Sequence, residues 1–161
     1  MKDKENMSSG DIVISVKPQF VARILAGSKV AELRRRAPRI LPGCKVWIYT
    51  KAPEATVTVC VTVDRIVIGS PREIWQEHEL SLGVSRDEFE TYFAETQVAC
   101  AILFSQVQAV RPALPLSEIR AESRHFQPPQ FFKRLHEGSA ELRLFRSRLR
   151  KRTPKHSAQA S

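Results

Sequence analysis

The chain has 161 residues, of which 42% are apolar, a size and composition typical of one globular domain with tails and incompatible with global disorder. The longest apolar-rich stretch, residues 55–63, is interrupted by threonines and is too short to span a membrane. The first residues lack the apolar core of a signal peptide. We therefore expect a cytoplasmic protein with no membrane association.

The net charge of +9 is concentrated at the C-terminus. Residues 142–161 contain seven basic residues and no acidic residue, so residues 1–141 carry only +2. Such a tail attracts polyanions without sequence preference. Within the rest of the chain, basic residues cluster at 29–45 and acidic residues at 72–95, which predicts one basic and one acidic face.

The three cysteines give no sign of a disulfide framework or a metal site. Cys44, Cys60 and Cys100 are an odd number, widely spaced, and no C-x-x-C or H-x-E pattern accompanies them. The histidines show no metal-ligand spacing either. We expect buried, reduced thiols, no bound metal and no cofactor.

The N-terminal half alternates between strand and helix patterns. After a polar leader at 1–9, alternating aliphatic residues at 11–16 predict a strand. Pro18 suits the first position of a helix, and Gly27 suits its end. β-Branched and alternating segments then predict strands at 30–36, at 44–50, and at 55–68, the last being one bent strand or two.

The C-terminal half begins with two capping boxes, in which Ser70 with Glu73 and Ser85 with Glu88 mark the starts of two helices. Further patterns predict a strand at 96–107, an extended segment at 110–116, and helices at 130–135 and 142–149. Without regular β-α-β units, this order predicts an α+β fold with a curled, largely antiparallel sheet. We place the domain at 10–137 and a basic extension, partly helical and then disordered, at 138–161.

The segment V-K-P-Q-F-V-A-R-I-L-A-G-S-K-V-A-E-L-R-R-R, residues 16–36, contains the pattern Gly-x-Lys-x-x-Glu-x-Arg at Gly27, Lys29, Glu32 and Arg34. It resembles the first helix and signature of the ASCH domain family, which is similar in fold to PUA-type RNA-binding barrels. The resemblance extends over roughly residues 10–135. It implies a small β-barrel with a cleft between the first helix and the sheet. It also implies a link to RNA, because members are suspected of binding RNA, and some small members hydrolyse acetylated cytidine or cleave RNA.

The residue types in this segment suit a nucleic-acid cleft. An extended chain at 30–36 places Glu32, Arg34 and Arg36 on one face, with Lys29 at the preceding turn. Arginine offers a planar donor fork to phosphate, and glutamate accepts a hydrogen bond from the exocyclic amine of a base. We therefore predict a regulatory module that binds RNA or another nucleic acid through Lys17, Lys29, Glu32, Arg34, Arg36 and Tyr49.

Other interpretations stay open. Glu32 can instead be held by its basic neighbours in a closed barrel seam, and Tyr49 can be a core residue beside Trp47. A hydrolase acting on a modified nucleoside or on RNA would use Lys29 and Glu32 in catalysis, although the acetylcytidine hydrolases have a threonine at the position of Glu32. A protein-interaction adaptor would use the acidic segment 70–95 to bind its protein partner. We favour the binding module.

Overall fold

The computed structural model describes residues 10–149 of the chain. The leader at 1–9 and the disordered end predicted for the tail lie outside the described residues. Within them, six strands and five helices follow one another in the order β1 (Ile12–Val16), α1 (Pro18–Ala26), β2 (Ala31–Arg34), β3 (Lys45–Thr50), β4 (Thr56–Gly69), α2 (Pro71–Leu82), α3 (Arg86–Tyr92), β5 (Ala99–Pro115), α4 (Leu116–Glu122), β6 (Lys133–Arg134) and α5 (Ala140–Ser147).

All six strands belong to one sheet, in the spatial order β2-β5-β4-β3-β1-β6. The neighbours are antiparallel except β1 and β3, which run parallel, with Ile12 opposite Val46 and Val16 opposite Thr50. The long strands β4 and β5 pair with three register shifts, and such bulges increase the twist and bend the strands. The sheet therefore curls into a half-barrel, which confirms the predicted α+β fold.

The half-barrel does not close between β1 and β2. Among residues 10–149, strand β2 pairs with β5 on one side only, and β6 pairs with β1 at Ile12 and Val13 only. Residues 14–16 of β1 therefore have no strand partner, within the described chain, on the side that faces β2. This gap, called the seam below, positions the candidate site.

Three hydrophobic clusters hold the helices on the sheet. Helix α1 buries Val21 and Ile24 against one face of β1, β3 and β4. Helices α4 and α5 cover the cluster around Trp47. Helices α2 and α3 pack on β2 and β5. We call α2, α3 and the turn between them the helical insert.

Helix α5 is part of this packing although its sequence lies in the predicted extension. Leu142 and Phe145 are 1% and 0% exposed, and the Phe145 ring lies 5.3 Å from that of Trp47. Arg146 also forms an ion pair with Asp11, whose carboxylate accepts a hydrogen bond from the Trp47 indole. The last described helix is thus joined to the sheet by apolar and polar contacts.

The local signals for helix ends are confirmed. Gly27 ends α1 in a left-handed conformation with φ of 82°, and both predicted capping boxes form. The helix predicted at 130–135 is wrong, because this segment contains bends and the short strand β6. Contacts with β1 fix the backbone here instead, since the Ser15 hydroxyl donates a hydrogen bond to Pro129 O just before the segment and β6 pairs with β1.

The predicted strand at 96–107 and extended segment at 110–116 are one strand, β5.

The three cysteines are buried, and burial raises the pKa of the Cys60 and Cys100 thiols to about 12. Within residues 10–149, no cluster of three or more metal-ligating side chains is found. None of the described helices has the length and hydropathy needed to cross a membrane.

Candidate functional site

A cleft of about 740 Å³ opens above the seam. Helices α1 and α3 form its two walls, the end of β1 and strand β2 form its floor, and Gln130 approaches from the loop before β6. Its charged lining consists of Lys17, Lys29, Arg34, Arg35, Lys51, Glu32, Asp87 and Glu88. The cleft thus joins the signature segment, Gly27 to Arg34, to parts of the chain distant in sequence.

A buried charge network forms the floor. The Glu32 side chain is 9% exposed and accepts a hydrogen bond at Oε2 from Arg34 Nη2, 2.9 Å away. Its other oxygen, Oε1, lies 4.0 Å from Lys29 Nζ and accepts no hydrogen bond within residues 10–149. The carboxylate is therefore held between two cations, and one of its oxygens remains available as an acceptor at the floor of the cleft.

Arg34 bridges the seam. The nitrogen that binds Glu32 also donates to Ser15 O on β1, at 2.9 Å, and Nη1 lies 3.5 Å from Phe131 O. One guanidinium thus connects β2 to the unpaired end of β1 and to the loop before β6. The interpretation of Glu32 as a seam residue and its interpretation as a cleft residue are compatible, because Arg34, which bridges the seam to β1, also holds Glu32 at the cleft floor.

Lys29 is 1% exposed and connects the signature to the helical insert. Its ammonium donates to Leu82 O, at 2.8 Å, at the end of α2, where the helix dipole and unsatisfied carbonyls favour a cation. Desolvation lowers the pKa of Lys29 below its usual range, and the Glu32 carboxylate opposes this. A buried ammonium held in this way orients Glu32 and supplies positive charge to the floor.

The close approach of the insert depends on Gly83, the residue that ends α2. Gly83 has φ of 61°, and a Cβ placed there would lie 2.4 Å from Lys29 Cβ and 2.6 Å from Lys29 Cα. Val30 also donates its backbone N–H to Ser81 O, at 3.0 Å. The end of α2 therefore packs directly against the backbone of the signature turn.

Two arginines attach the insert to the cleft. Arg23 of α1 binds Glu88 of α3, at 2.9 Å, and also donates to Gly83 O. The Arg23 guanidinium, together with the backbone N–H of Ser85, lowers the pKa of Glu88 to about 2. Arg35 donates to Tyr92 O at the end of α3 and lies 4.5 Å from the Tyr92 ring centroid. Much of the local basic charge therefore holds the insert in place.

Two lysines at the rim of the cleft have no acidic partner among the described residues. Lys17 and Lys51 directly follow β1 and β3, and the parallel pairing of Val16 with Thr50 brings them side by side. Both are exposed, and neither side chain forms an ion pair with another described residue. They are the cleft cations best placed to meet a ligand from solvent.

The structure brings together four of the six predicted site residues, namely Lys17, Lys29, Glu32 and Arg34. Arg36 lies outside the cleft, with its guanidinium 5.3 Å from the Phe131 ring centroid. Tyr49 is 5% exposed and belongs to the core cluster of Trp47, so it does not line the cleft. The alternation along β3 puts Val46 and Ile48 in a different core cluster from Trp47 and Tyr49.

Sequence reasoning missed Lys51, Ser15 and the α3 wall. Lys51 follows a predicted strand just as Lys17 does, but only the parallel pairing of those strands makes them neighbours. Glu88 was identified as a capping residue, and its second partner, Arg23, is 65 residues away. A contact between residues so far apart in the chain leaves no pattern in a single sequence.

A second hollow, of about 570 Å³, is formed by the insert and is lined by Trp75, Arg86 and Phe93 among others. It contains no residue of the signature segment. We therefore take the cleft above the seam as the candidate functional site.

Comparison with known proteins agrees with the fold and the signature. The family model described as the ASCH domain matches residues 14–108. A protein of Zymomonas mobilis named "ASCH domain-containing ribonuclease" is 32% identical over 120 residues, which cover 74% of this chain and 80% of that protein. These matches confirm the resemblance to the ASCH domain family that the signature indicates.

The structural comparison gives the same result. The crystal structure of ASCH from Zymomonas mobilis superposes with a TM-score of 0.81 at 28% identity, covering 89% of this chain and 99% of that one. A variant of that protein in which a tyrosine is replaced by phenylalanine superposes with a TM-score of 0.80 at 28% identity, covering 88% of this chain and 99% of that one. The similarity therefore extends beyond the signature to nearly the whole described fold.

Proposed function

The chain belongs to the ASCH domain family, and we propose that its cleft binds single-stranded RNA. Two features of the cleft carry the proposal. The rim has two lysines that form no ion pair with any residue in the range 10–149, and the floor has a buried, ion-paired glutamate that keeps one oxygen available. The cleft volume, about 740 Å³, lies within the range of about 300–1,000 Å³ usual for small-ligand sites. One nucleotide of a strand therefore fits the site.

The parts of the cleft match the parts of a nucleotide. Lys17 and Lys51 provide compact positive charge for the phosphate. Glu32 Oε1 can accept a hydrogen bond from a base N–H group, with the Lys29 ammonium 4.0 Å away. Phe20 and Tyr92 give the walls aromatic surface, on which an unstacked base can pack. Flexible single strands expose these groups, whereas a duplex hides them.

Binding is tested by fluorescence anisotropy with a short labelled RNA and a Lys17→Gln, Lys51→Gln double variant. Each phosphate contact with a single strand contributes about 0.7 to the slope of log K against log salt concentration. If both lysines contact phosphate, the double variant should therefore have a slope smaller in magnitude by about 1.4. The control is Lys45→Gln with Arg65→Gln, which removes the same charge from β3 and β4 outside the cleft. Equal losses in both variants would show that only the overall charge matters.

A second candidate function is RNA cleavage, favoured by the name of the relative that is 32% identical. In this reaction the 2′-hydroxyl attacks the adjacent phosphorus and transfers its proton to Glu32 Oε1. The P–O5′ bond breaks, the 5′-oxygen takes a proton from water or a nearby acid, and a 2′,3′-cyclic phosphate forms. Lys29 and Arg34 flank the carboxylate and add positive charge near the phosphate.

Cleavage is tested on a labelled RNA and on the same oligonucleotide with a single 2′-deoxy substitution. Glu32→Gln keeps the shape of the side chain and an acceptor for Arg34 but cannot take a proton. Cleavage measured at saturating RNA should therefore fall by about 100-fold or more. Cleavage of the 2′-deoxy substrate at the substituted position would contradict the mechanism. RNA binding by the wild type without any cleavage would leave the binding module as the function.

Two further alternatives remain predictions. Hydrolysis of an acetylated cytidine would require product above that of a Lys29→Met control. An adaptor function of the acidic segment 70–95 would require a protein partner that survives nuclease treatment in a pull-down. In the structure, two acids of that segment already pair within the chain, Glu88 with Arg23 and Glu90 with Arg86.

A further inference from the structure

A continuous row of arginine and phenylalanine side chains lies beside the cleft. Arg36 stands 5.3 Å from the Phe131 ring centroid, Phe131 and Phe132 are 4.8 Å apart at an interplanar angle of 62°, and Arg134 stands 5.5 Å from Phe132. Arg134 also donates to the backbone oxygen of Arg39, at 3.2 Å. We call Arg36, Arg39, Phe131, Phe132 and Arg134 the arginine–phenylalanine ridge.

The ridge is continuous with the cleft. Gln130, which lines the cleft, directly precedes Phe131. Arg34 at the cleft floor reaches Phe131 O, at 3.5 Å, from the other side. At the end of β2, the chain likewise runs from Arg34 and Arg35 in the cleft to Arg36 on the ridge. A ligand that leaves the cleft past Gln130 therefore meets the ridge next.

The ridge arginines differ from Arg23 and Arg34, each of which pairs with a carboxylate. Within the described chain, none of Arg36, Arg39 and Arg134 forms an ion pair. On the insert, by contrast, Arg86 pairs with Glu90 at 2.9 Å, and across the cleft Arg23 pairs with Glu88. Arg36 and Arg39 are also exposed. Their positive charge is thus available to an external anion.

We infer that the arginine–phenylalanine ridge is a second RNA-binding surface, over which a strand held in the cleft continues. Guanidinium groups stacked on aromatic rings can bind phosphate through their N–H groups and bases through their faces. Rows of positive charge and aromatic rings are the usual means by which proteins bind single strands without sequence preference. The inference rests on the proposed function, since it takes the ligand of the cleft to be RNA. It adds that the affinity should depend on the length of the RNA.

The test compares labelled single-stranded RNAs of about 4 and about 12 nucleotides, a range that single-stranded binding folds occupy. The Arg36→Gln, Arg39→Gln double variant should bind the short RNA like the wild type. It should bind the long RNA about tenfold more weakly, with the salt slope reduced by about 1.4 for two lost phosphate contacts. The matched control is Arg72→Gln with Arg124→Gln, two exposed arginines on α2 and after α4, which should change neither RNA.

A Phe131→Leu variant separates stacking from charge. It keeps an apolar side chain beside Phe132 but removes the ring, and binding of the long RNA should weaken about tenfold, within the range for loss of one base–aromatic stack. Its urea midpoint is measured alongside to show that the fold is kept. Unchanged binding of the long RNA, or an equal loss for the short and the long RNA, would refute stacking on the ridge.

The possible failures are distinguishable. If the wild type binds neither RNA, the proposed function itself is wrong. If the Lys17→Gln, Lys51→Gln variant loses binding of both RNAs while the ridge variant binds the long RNA like the wild type, the cleft is retained and the ridge is refuted. If the ridge and control double variants weaken long-RNA binding equally, the effect is overall charge, and the ridge is again refuted.

Discussion

Gly83 offers a direct test of how the helical insert is joined to the signature segment. In a Gly83→Ala variant, the new methyl group would lie 2.4 Å from Lys29 Cβ, 2.6 Å from Lys29 Cα and 2.8 Å from Ser28 O. Two of these three atoms belong to the backbone, so no rotamer change relieves the clash. The end of α2 must move away, and the Lys29 ammonium then loses Leu82 O, its acceptor at 2.8 Å.

The expected loss has two parts. An alanine at φ of 61° costs about 1–2 kcal/mol, because its Cβ approaches the following carbonyl oxygen. Overpacking against the signature turn adds about 1–3 kcal/mol, so we expect Gly83→Ala to lower the free energy of unfolding by about 2–5 kcal/mol. Urea unfolding followed by tryptophan fluorescence measures this, because Trp47 lies in the core and Trp75 in the insert.

Gly43→Ala is the matched control. Gly43 has φ of 88°, but nothing lies within 4 Å of a Cβ built there, so the variant should show only the conformational part of the loss. The difference between the two variants isolates the contact between α2 and the signature turn. If Gly83→Ala were no more destabilising than Gly43→Ala, the insert would not depend on this close approach, and the role assigned to Lys29 at the end of α2 would be refuted.

Three further predictions follow from the contacts. Arg23 lowers the pKa of Glu88 from 4.5 to about 2. The Glu88 carboxylate therefore stabilises the fold above pH 4.5, and this stabilisation is lost as the pH falls toward 2. Between pH 4.5 and pH 2, the urea midpoint should fall less for Glu88→Gln than for the wild type. With the pKa of Cys60 and Cys100 raised to about 12, a thiol reagent at pH 8 should modify them only after unfolding, and rapid labelling of the native protein would contradict their burial. Phe145→Ala should cost about 3–5 kcal/mol in urea unfolding, and a loss below 1 kcal/mol would show that α5 is peripheral to the core.

Local signals in the sequence determined most of the elements. Alternation predicts β1, β3 and β4, Pro18 and Gly27 mark α1, and the two capping boxes mark α2 and α3. These succeed because they depend on residues within one turn or one strand. The helix predicted at 130–135 fails for the opposite reason, since the bond from Ser15 to Pro129 O joins residues 114 positions apart.

The candidate site shows the same division. The order of Gly27, Lys29, Glu32 and Arg34 can be seen in the sequence, and this pattern indicates the ASCH domain family. Whether those side chains line a cleft depended on the seam between β1 and β2 and on the insert packed beside Gly83. The parallel pairing of β1 with β3 adds Lys51 beside Lys17. Arg36 and Tyr49 have equally suitable chemistry, yet one lies on the arginine–phenylalanine ridge and the other in the core. Composition and spacing thus determined which chemical groups this protein has, and tertiary packing decided which of them share a cleft, because the partners of each group come from distant parts of the chain.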